Sequence, residues 1–263
     1  MENTPLRVDK LDVSKIKFAS EKDGINDVPF GFIRYDNKSL TLRTPTIITE
    51  AYGIPRAGAF YKTDKSRAFY KMPLCHDRRK FPEEIAYDEI KVFHDKLKEL
   101  DTICASESFR KEMFGDKHFH KYNYIPIVRN HPDDEEDNSK KYYRPPYVKL
   151  KLPVYDDIYN LCLYKENVEG KVAYRDINDL ASEVKYLGKV SFILKVNKLF
   201  IMNTAGSSCQ NKNYGITIIA THVKVYHREN MNRYYNDSII AFDDDDDDDK
   251  PLQENKITRS KNP

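Results

Sequence analysis

Tyr147, Lys149 and Lys151 alternate at a spacing of two residues and are the clearest candidates for a binding function in this sequence. In a β-strand this spacing places the ring and both ammonium groups on one face, and the aliphatic residues between them on the other. Phosphates attract lysine, and unpaired bases stack on aromatic rings with about 1 to 3 kcal/mol each regardless of base sequence. The segment therefore predicts a strand that contacts single-stranded nucleic acid, with Tyr142 and Arg144 as further contacts just before it.

Two other segments combine aromatic and basic residues. The first is predicted to be a loop, and its candidate contacts are Phe60, Tyr61, Lys62, Arg67 and Tyr70, within a run that also includes Phe69 and Lys71. The second falls on the last two predicted strands and provides Lys195, Lys198 and Tyr214. Buried tyrosines and solubilising lysines explain any single segment equally well. The recurrence of the pattern in three segments favours binding.

The sequence offers little for catalysis. It contains no G-x-x-x-x-G-K-[ST], G-x-G-x-x-G or G-x-S-x-G motif. Its seven histidines and four cysteines include no pairs at zinc-finger spacing, and Asp156–Asp157 fits a turn after Pro153 better than a metal site. We therefore expect no enzymatic activity, no cofactor and no bound metal.

Hydrophobic periodicity predicts a mainly β protein of the α+β class. Apolar residues at spacings of three and four predict a helix over about 83–100, and a short second helix is predicted over 107–114, so that a helical insertion lies near 82–114. In the last third, two strands, a turn, a third strand, a helix, a fourth strand, a loop and a long strand follow in that order. This order predicts an OB-fold-like five-stranded barrel with an inserted helix.

The charge distribution divides the chain after residue 227. Residues 228–263 contain ten acidic and six basic residues, including the aspartate run 243–249, whereas residues 1–227 have a net charge of +6. We expect an OB-fold-like nucleic-acid-binding domain at 1–227 and a disordered acidic tail at 228–263. Because the tail is tethered to a basic groove, it is expected to compete with nucleic acid for that groove or to recruit partner proteins.

The C-terminal half resembles a viral protein family. The resemblance rests on RPPYVKLKL from Arg144, KVSFILKVNKL from Lys189, and YGIT from Tyr214 followed by VKV from Val223. In these segments the chain is similar to the single-stranded DNA-binding proteins of nucleocytoplasmic large DNA viruses, which look like relatives of a podovirus replication protein with an OB-fold and an acidic C-terminal tail. The resemblance implies non-catalytic binding of displaced single strands during viral DNA replication, recombination or repair.

We therefore expect sequence-independent binding of single-stranded DNA, with viral replication proteins as partners of the tail and a homodimer as one candidate assembly. The four cysteines are widely spaced, which favours a reducing compartment. The sequence shows neither a secretory leader nor a long apolar segment, so we expect the host cytoplasm or nucleus and no membrane association. Two alternatives stay open: a virion structural or assembly protein with a β-sandwich core, and a metal-dependent nuclease.

Overall fold

The computed structural model describes residues 4–22, 29–50, 53–76, 78, 80–81, 85–130, 145–155, 158–205 and 212–227. The predicted acidic tail, Tyr142 and Arg144 lie outside these ranges. The described residues form fourteen β-strands and three α-helices. The strands are Leu6–Arg7 (β1), Ile16–Lys22 (β2), Pro29–Tyr35 (β3), Lys38–Arg43 (β4), Ile47–Ile48 (β5), Phe69–Pro73 (β6), Tyr122–Ile125 (β7), Val128–Arg129 (β8), Tyr147–Lys151 (β9), Val154–Tyr155 (β10), Ile158–Tyr159 (β11), Cys162–Lys165 (β12), Lys189–Ala205 (β13) and Lys212–Tyr226 (β14). The helices are Tyr87–Ala105 (α1), Glu107–Phe114 (α2) and Ile177–Glu183 (α3).

A long antiparallel hairpin, β13 with β14, forms the centre of a twelve-stranded sheet. The outer edge of β13 pairs with β5, β4 and β3 in turn. The outer edge of β14 pairs with three strands that all run parallel to it, β12, β9 and β7. Outside these, β2 pairs with β3, β1 with β4, and both β6 and β8 pair with β9, while β10 and β11 form a separate small hairpin.

The mainly β, α+β class is confirmed, but the described strands do not close into the predicted five-stranded barrel. Their order is β1-β4-β3-β13-β14-β9-β6, with β1 and β6 at opposite ends. The two central strands have 17 and 15 residues, about three times the usual strand length of 5 to 6. Strands of this length have room for three short partners along each outer edge. The described strands therefore form a broad sheet around the central hairpin.

All three predicted helices are present, although α1 spans Tyr87–Ala105 and not the predicted 83–100. In α1 the buried side chains lie at spacings of three and four, at Ile90, Phe93, Leu97, Leu100 and Cys104, and this apolar stripe joins the core of the sheet. The hydroxyl of Ser106 accepts the backbone N–H of Phe109 at the start of α2, and Gly115 ends α2 with φ 77°. No helix in the described part of the chain combines the length and apolar character needed to cross a bilayer.

Buried polar contacts hold the region between β5 and α1. The carboxylate of Glu50 accepts hydrogen bonds from His76 Nδ1 and Lys80 Nζ, both at 3.2 Å. Burial acts to raise the pKa of Glu50, but these two hydrogen bonds outweigh it and hold the pKa below the ordinary value of 4.5. The Thr49 and Tyr70 hydroxyls are also hydrogen-bonded, at 2.7 Å, and this contact ties the end of β5 to β6.

Candidate nucleic-acid interface

One row of directly paired residues crosses five strands on the solvent-facing side of the sheet. The row consists of Phe69, Lys151, Ile219, Lys195 and Thr41, from β6 through β9, β14 and β13 to β4. Paired residues in neighbouring strands point to the same face. Both lysines are exposed, Ile219 and Thr41 are half-buried, and Phe69 at the end of the row is buried. The row therefore brings one lysine from the first predicted segment and one from the third into line.

The neighbouring residues on the same strands point the other way. Tyr70 pairs with Leu150, and Leu194 pairs with both Leu42 and Ala220; all five are buried. This alternation shows that the sheet has one apolar face, packed with residues of all three helices, and one face that carries the exposed cations. We call the second surface the basic–aromatic face and define it by Phe69, Lys71, Arg129, Tyr147, Lys149, Lys151 and Lys195.

Three cations gather at one end of the basic–aromatic face. Lys71 pairs directly with Lys149, and Arg129 pairs with Tyr147 two residues along β9. Lys149 Nζ lies 3.9 Å from the centre of the Phe69 ring, and Lys71 Nζ lies 5.0 Å from the centre of the Tyr147 ring. Rings attract cations through their negative faces, so each ring holds an ammonium group in place. The predicted alternation of Tyr147, Lys149 and Lys151 is confirmed.

The electrostatics of this cluster favour an anion. Burial lowers the pKa of Lys149, and the charges of Arg129 and Lys71 lower it further. Lys71 has a lowered pKa for the same two reasons, burial and the charge of Arg129. Among the described residues, Arg129 Nε is buried without a hydrogen-bond partner, and no carboxylate forms an ion pair with Arg129 or Lys149. A phosphate placed among the three cations would supply the missing acceptor and offset their mutual repulsion.

Aromatic side chains border the cluster. The Tyr61 ring meets the Phe69 ring edge to face at 5.5 Å between centres, so the predicted loop adjoins the basic–aromatic face. Phe60, next in the chain, is 95% exposed, and Lys62 is exposed as well. An exposed phenylalanine ring contributes nothing to the core, and it is available to stack on a base.

A β-bulge brings Lys198 onto the same face as Lys195. Lys195 and Lys198 are three residues apart, which in a regular strand would put them on opposite faces. The pairing of β13 with β14 shifts between Val196 and Lys198, so that Asn197 is an extra residue and Lys198 pairs with Thr217. Both lysines are exposed.

Three predicted contact residues lie in the interior instead. Tyr70 and Tyr214 are fully buried, and Arg67 is 4% exposed. Tyr70 is hydrogen-bonded to Thr49, and the Tyr214 hydroxyl donates to the Cys104 carbonyl in α1. Burial raises the pKa of both phenols, so they stay neutral.

The buried Arg67 guanidinium connects two segments of the fold by hydrogen bonds. Its Nε donates to the Pro55 carbonyl at 2.9 Å, and one terminal nitrogen donates to Asn178 Oδ1 at 2.8 Å. These contacts join the loop before β6 to α3. Arg67, Tyr70 and Tyr214 therefore stabilise the fold, and they are removed from the set of candidate contacts.

Sequence reasoning did not select two residues that belong at the interface. Arg129 follows a predicted strand, and only its pairing with Tyr147 reveals its proximity to the two lysines. The Phe200 ring lies on the backbone of Gly215, where a Cβ would come within 3.0 Å of it, and lines a small cleft with Arg129 and Lys149. Phe200 could have been found from the sequence, because it lies two residues after Lys198 in a predicted strand and therefore shares its face.

Comparison with known proteins relates the chain to a viral protein. No protein-family model matches the chain. An uncharacterized protein of Acanthamoeba polyphaga mimivirus, R505, is 27% identical to it over 211 residues, which is 69% of this chain. The chain spans about half the length of this relative, since the match covers 50% of it. Within the described ranges, no three histidine, cysteine, aspartate or glutamate side chains gather in a way that could hold a metal ion.

Proposed function

We propose that this protein binds single-stranded DNA without sequence preference through the basic–aromatic face. The observation that carries the proposal is the cluster of Lys71, Arg129 and Lys149, in which three cations lie together beside two rings. Among the described residues, Arg129 Nε is buried without a hydrogen-bond partner, and the charge of Arg129 acts on both lysines. A polyanion that reaches the cluster supplies an acceptor to Arg129 and makes the arrangement favourable.

Single strands fit this surface better than duplexes do. Stacking needs an unpaired base, whose flat face a duplex hides. The exposed Phe60 and the half-buried Tyr61, in the loop that adjoins the basic–aromatic face, provide rings for it. The proposal does not require a closed OB-fold barrel, because stacking and phosphate contacts need only a solvent-facing sheet that presents rings and cations. The OB-fold likeness remains part of the proposal as a resemblance to that binding mode.

The viral setting is part of the same proposal. The mimivirus relative supports a viral origin for the chain, and the family resemblance supports a role in replication, recombination or repair at the viral replication site in the host cytoplasm or nucleus. The acidic segment 228–263 would then regulate access to the basic–aromatic face or recruit viral replication proteins.

Fluorescence anisotropy tests the proposal. Labelled oligothymidylate, a matched duplex and a matched RNA are titrated with the full chain across a series of salt concentrations. We expect the tightest binding to the DNA single strand and a steep loss of affinity with salt. A double variant, Lys149→Ala with Lys151→Ala, should reduce the log–log salt slope by about 1.4, since each lost phosphate contact removes about 0.7 for single strands.

Lys98 provides the matched control. It is an exposed lysine on α1, the helix that packs on the apolar face, so Lys98→Ala changes the same charge away from the interface. Absence of binding by the full chain and by a chain ending at Ile240 would refute the proposal and favour the structural-protein alternative. Degradation of the DNA on addition of Mg²⁺, stopped by a chelator, would favour the nuclease alternative.

A further inference from the structure

A groove of about 600 Å³ lies at the other end of the solvent-facing side of the sheet. Its wall includes three rings and two cations: Tyr164, His222, Tyr226, Arg43 and Lys224. We call it the tyrosine groove. Pockets of 300 to 1,000 Å³ are the usual size for sites that take a small molecule or a single nucleotide unit.

The tyrosine groove is continuous with the basic–aromatic face. A second row of paired residues, Arg43, Ile193, His222 and Cys162, crosses β4, β13, β14 and β12. On β13, Ile193 lies two residues from Lys195, so both side chains point to the same face about 7 Å apart along the strand. A flexible polymer that contacts Lys195 therefore reaches the groove without leaving the surface.

The rings of the groove suit a flat ligand. The Tyr164 and His222 rings are nearly parallel, with 19° between their planes and 6.0 Å between their centres. The Tyr226 hydroxyl is hydrogen-bonded to Ser191 Oγ at 3.0 Å, which fixes the third ring. Planar aromatic groups stack on such rings whatever their exact identity.

Charge complementarity identifies the rest of the ligand. Lys165 also lines the groove, but it is engaged by Glu183 at 2.8 Å, and Glu166 accepts the His227 backbone N–H at 2.9 Å. Lys224 Nζ lies 5.1 Å from the centre of the Tyr226 ring, so a cation borders the aromatic surface directly. With Arg43, it offers two positive charges to a ligand that combines a flat ring with negative charge.

We propose that the tyrosine groove binds a base and the adjoining phosphates of the same DNA strand that crosses the basic–aromatic face. This inference rests on the proposed function and extends it, because it assigns a second subsite and the direction in which the strand crosses the sheet, from β9 towards β12. A nucleotide unit satisfies both observations at once: its base matches the rings, and its phosphates match Arg43 and Lys224.

Photo-crosslinking and a groove variant test the inference. Oligothymidylate with 5-iododeoxyuridine at one position is crosslinked to the full chain, and the modified peptides are identified by mass spectrometry. We expect crosslinks to Tyr164, His222 or Tyr226. The double variant Arg43→Ala with Lys224→Ala should lower the salt slope for a long oligonucleotide by about 1.4, corresponding to two phosphate contacts.

A ring variant measures the stacking part. His222→Ala should weaken binding of the long oligonucleotide about 5- to 150-fold, the range expected for loss of one stacked base. Lys98→Ala, at an exposed position on α1 away from the groove, is the control. Circular dichroism and thermal unfolding confirm that each variant is folded; Arg43 and Lys224 are exposed, so their replacement should leave stability within about 0.5 kcal/mol of the wild type.

The outcomes separate this inference from the proposed function. If the wild type binds single strands but folded groove variants keep its slope and affinity and no groove residue is crosslinked, the groove lies off the path and the proposed function stands. If groove variants abolish binding while Lys149→Ala with Lys151→Ala has no effect, the strand does not cross both sites and the inference fails. If the wild type does not bind single-stranded DNA, both the inference and the proposed function are refuted.

Discussion

Replacing Arg129 by glutamine is the sharpest test of the cation cluster. Glutamine keeps a polar but shorter side chain and removes the charge. It should have two effects: one phosphate contact is lost, and the pKa values of Lys149 and Lys71 rise, because the charge of Arg129 contributes to lowering both. Since the three cations repel one another, the change should not reduce the free energy of unfolding.

The size of the binding effect follows from the number of contacts. Losing one phosphate contact should reduce the log–log salt slope by about 0.7. Losing all three, in the variant that combines Lys71→Gln, Arg129→Gln and Lys149→Gln, should reduce it by about 2.1. Between 50 and 200 mM salt, the wild type should therefore lose about 2.6-fold more affinity than the single variant and about 18-fold more than the triple variant.

The pH dependence gives an independent readout. Lysine binds phosphate when protonated, so affinity should fall as pH rises through the lowered pKa of Lys149, below its ordinary value of 10.5. In Arg129→Gln this loss should move to higher pH. Anisotropy titrations with oligothymidylate at fixed ionic strength measure both quantities, with Lys98→Gln as the control. An Arg129→Gln protein that keeps the wild-type salt slope and pH profile would refute the cluster as a phosphate site.

Four further outcomes are expected. Phe60→Ala should leave stability within about 0.5 kcal/mol of the wild type and weaken binding of single strands about 5- to 150-fold, as measured by urea denaturation and anisotropy; unchanged affinity would show that this ring does not stack. Tyr70→Phe should lower the free energy of unfolding by about 1 to 2 kcal/mol, through loss of a buried hydrogen bond, without changing DNA affinity, and a loss of affinity at full stability would restore Tyr70 as a contact. Glu50→Gln should destabilise the protein by about 1.5 to 3 kcal/mol at neutral pH. Because the folded-state pKa of Glu50 is lowered, this stabilisation is present above pH 4.5 and is lost as pH falls through the folded value, so wild type and variant should converge in acid; a constant difference in urea denaturation would contradict the role of its ionised form. Ending the chain at Ile240 should tighten DNA binding at low salt, with the difference disappearing at high salt, and equal affinity at low salt would exclude competition by the tail.

Local patterns predicted the elements well where one strand or helix decides the outcome. The alternation of Tyr147, Lys149 and Lys151 is sufficient to place them on one face, and the spacing of Ile90, Phe93 and Leu97 is sufficient to define the buried side of α1. Both patterns depend only on the geometry of a single element.

The phase of an alternation decides whether a residue on a strand is buried or exposed. Tyr214 shares its phase with Ile216, Ile218 and Ala220, which makes it a core residue, and this was visible in the sequence. The prediction of a loop at Tyr70 is wrong, because Tyr70 alternates with Lys71 in β6 and points to the apolar face.

Long-range pairing is the part that no local pattern contains. Arg67 is held by Asn178, 111 residues away, and Arg129 reaches the lysines only through the pairing of β8 with β9. The failure to predict the broad sheet has the same cause. The order of elements along the chain does not specify that β12, β9 and β7 all pair in parallel with β14.

The central hairpin also constrains the time course of folding. The strands β3, β4 and β5 join the central hairpin only through β13, although β3 and β4 also pair with each other and with β2 and β1. The pairing of Leu42 with Leu194 joins residues about 150 positions apart. At a synthesis rate of about 5 to 20 residues per second, β4 waits about 10 to 30 s on the ribosome for that partner. During this interval its apolar residues are without their final neighbours, so the nascent chain is a natural client for chaperones until the hairpin emerges.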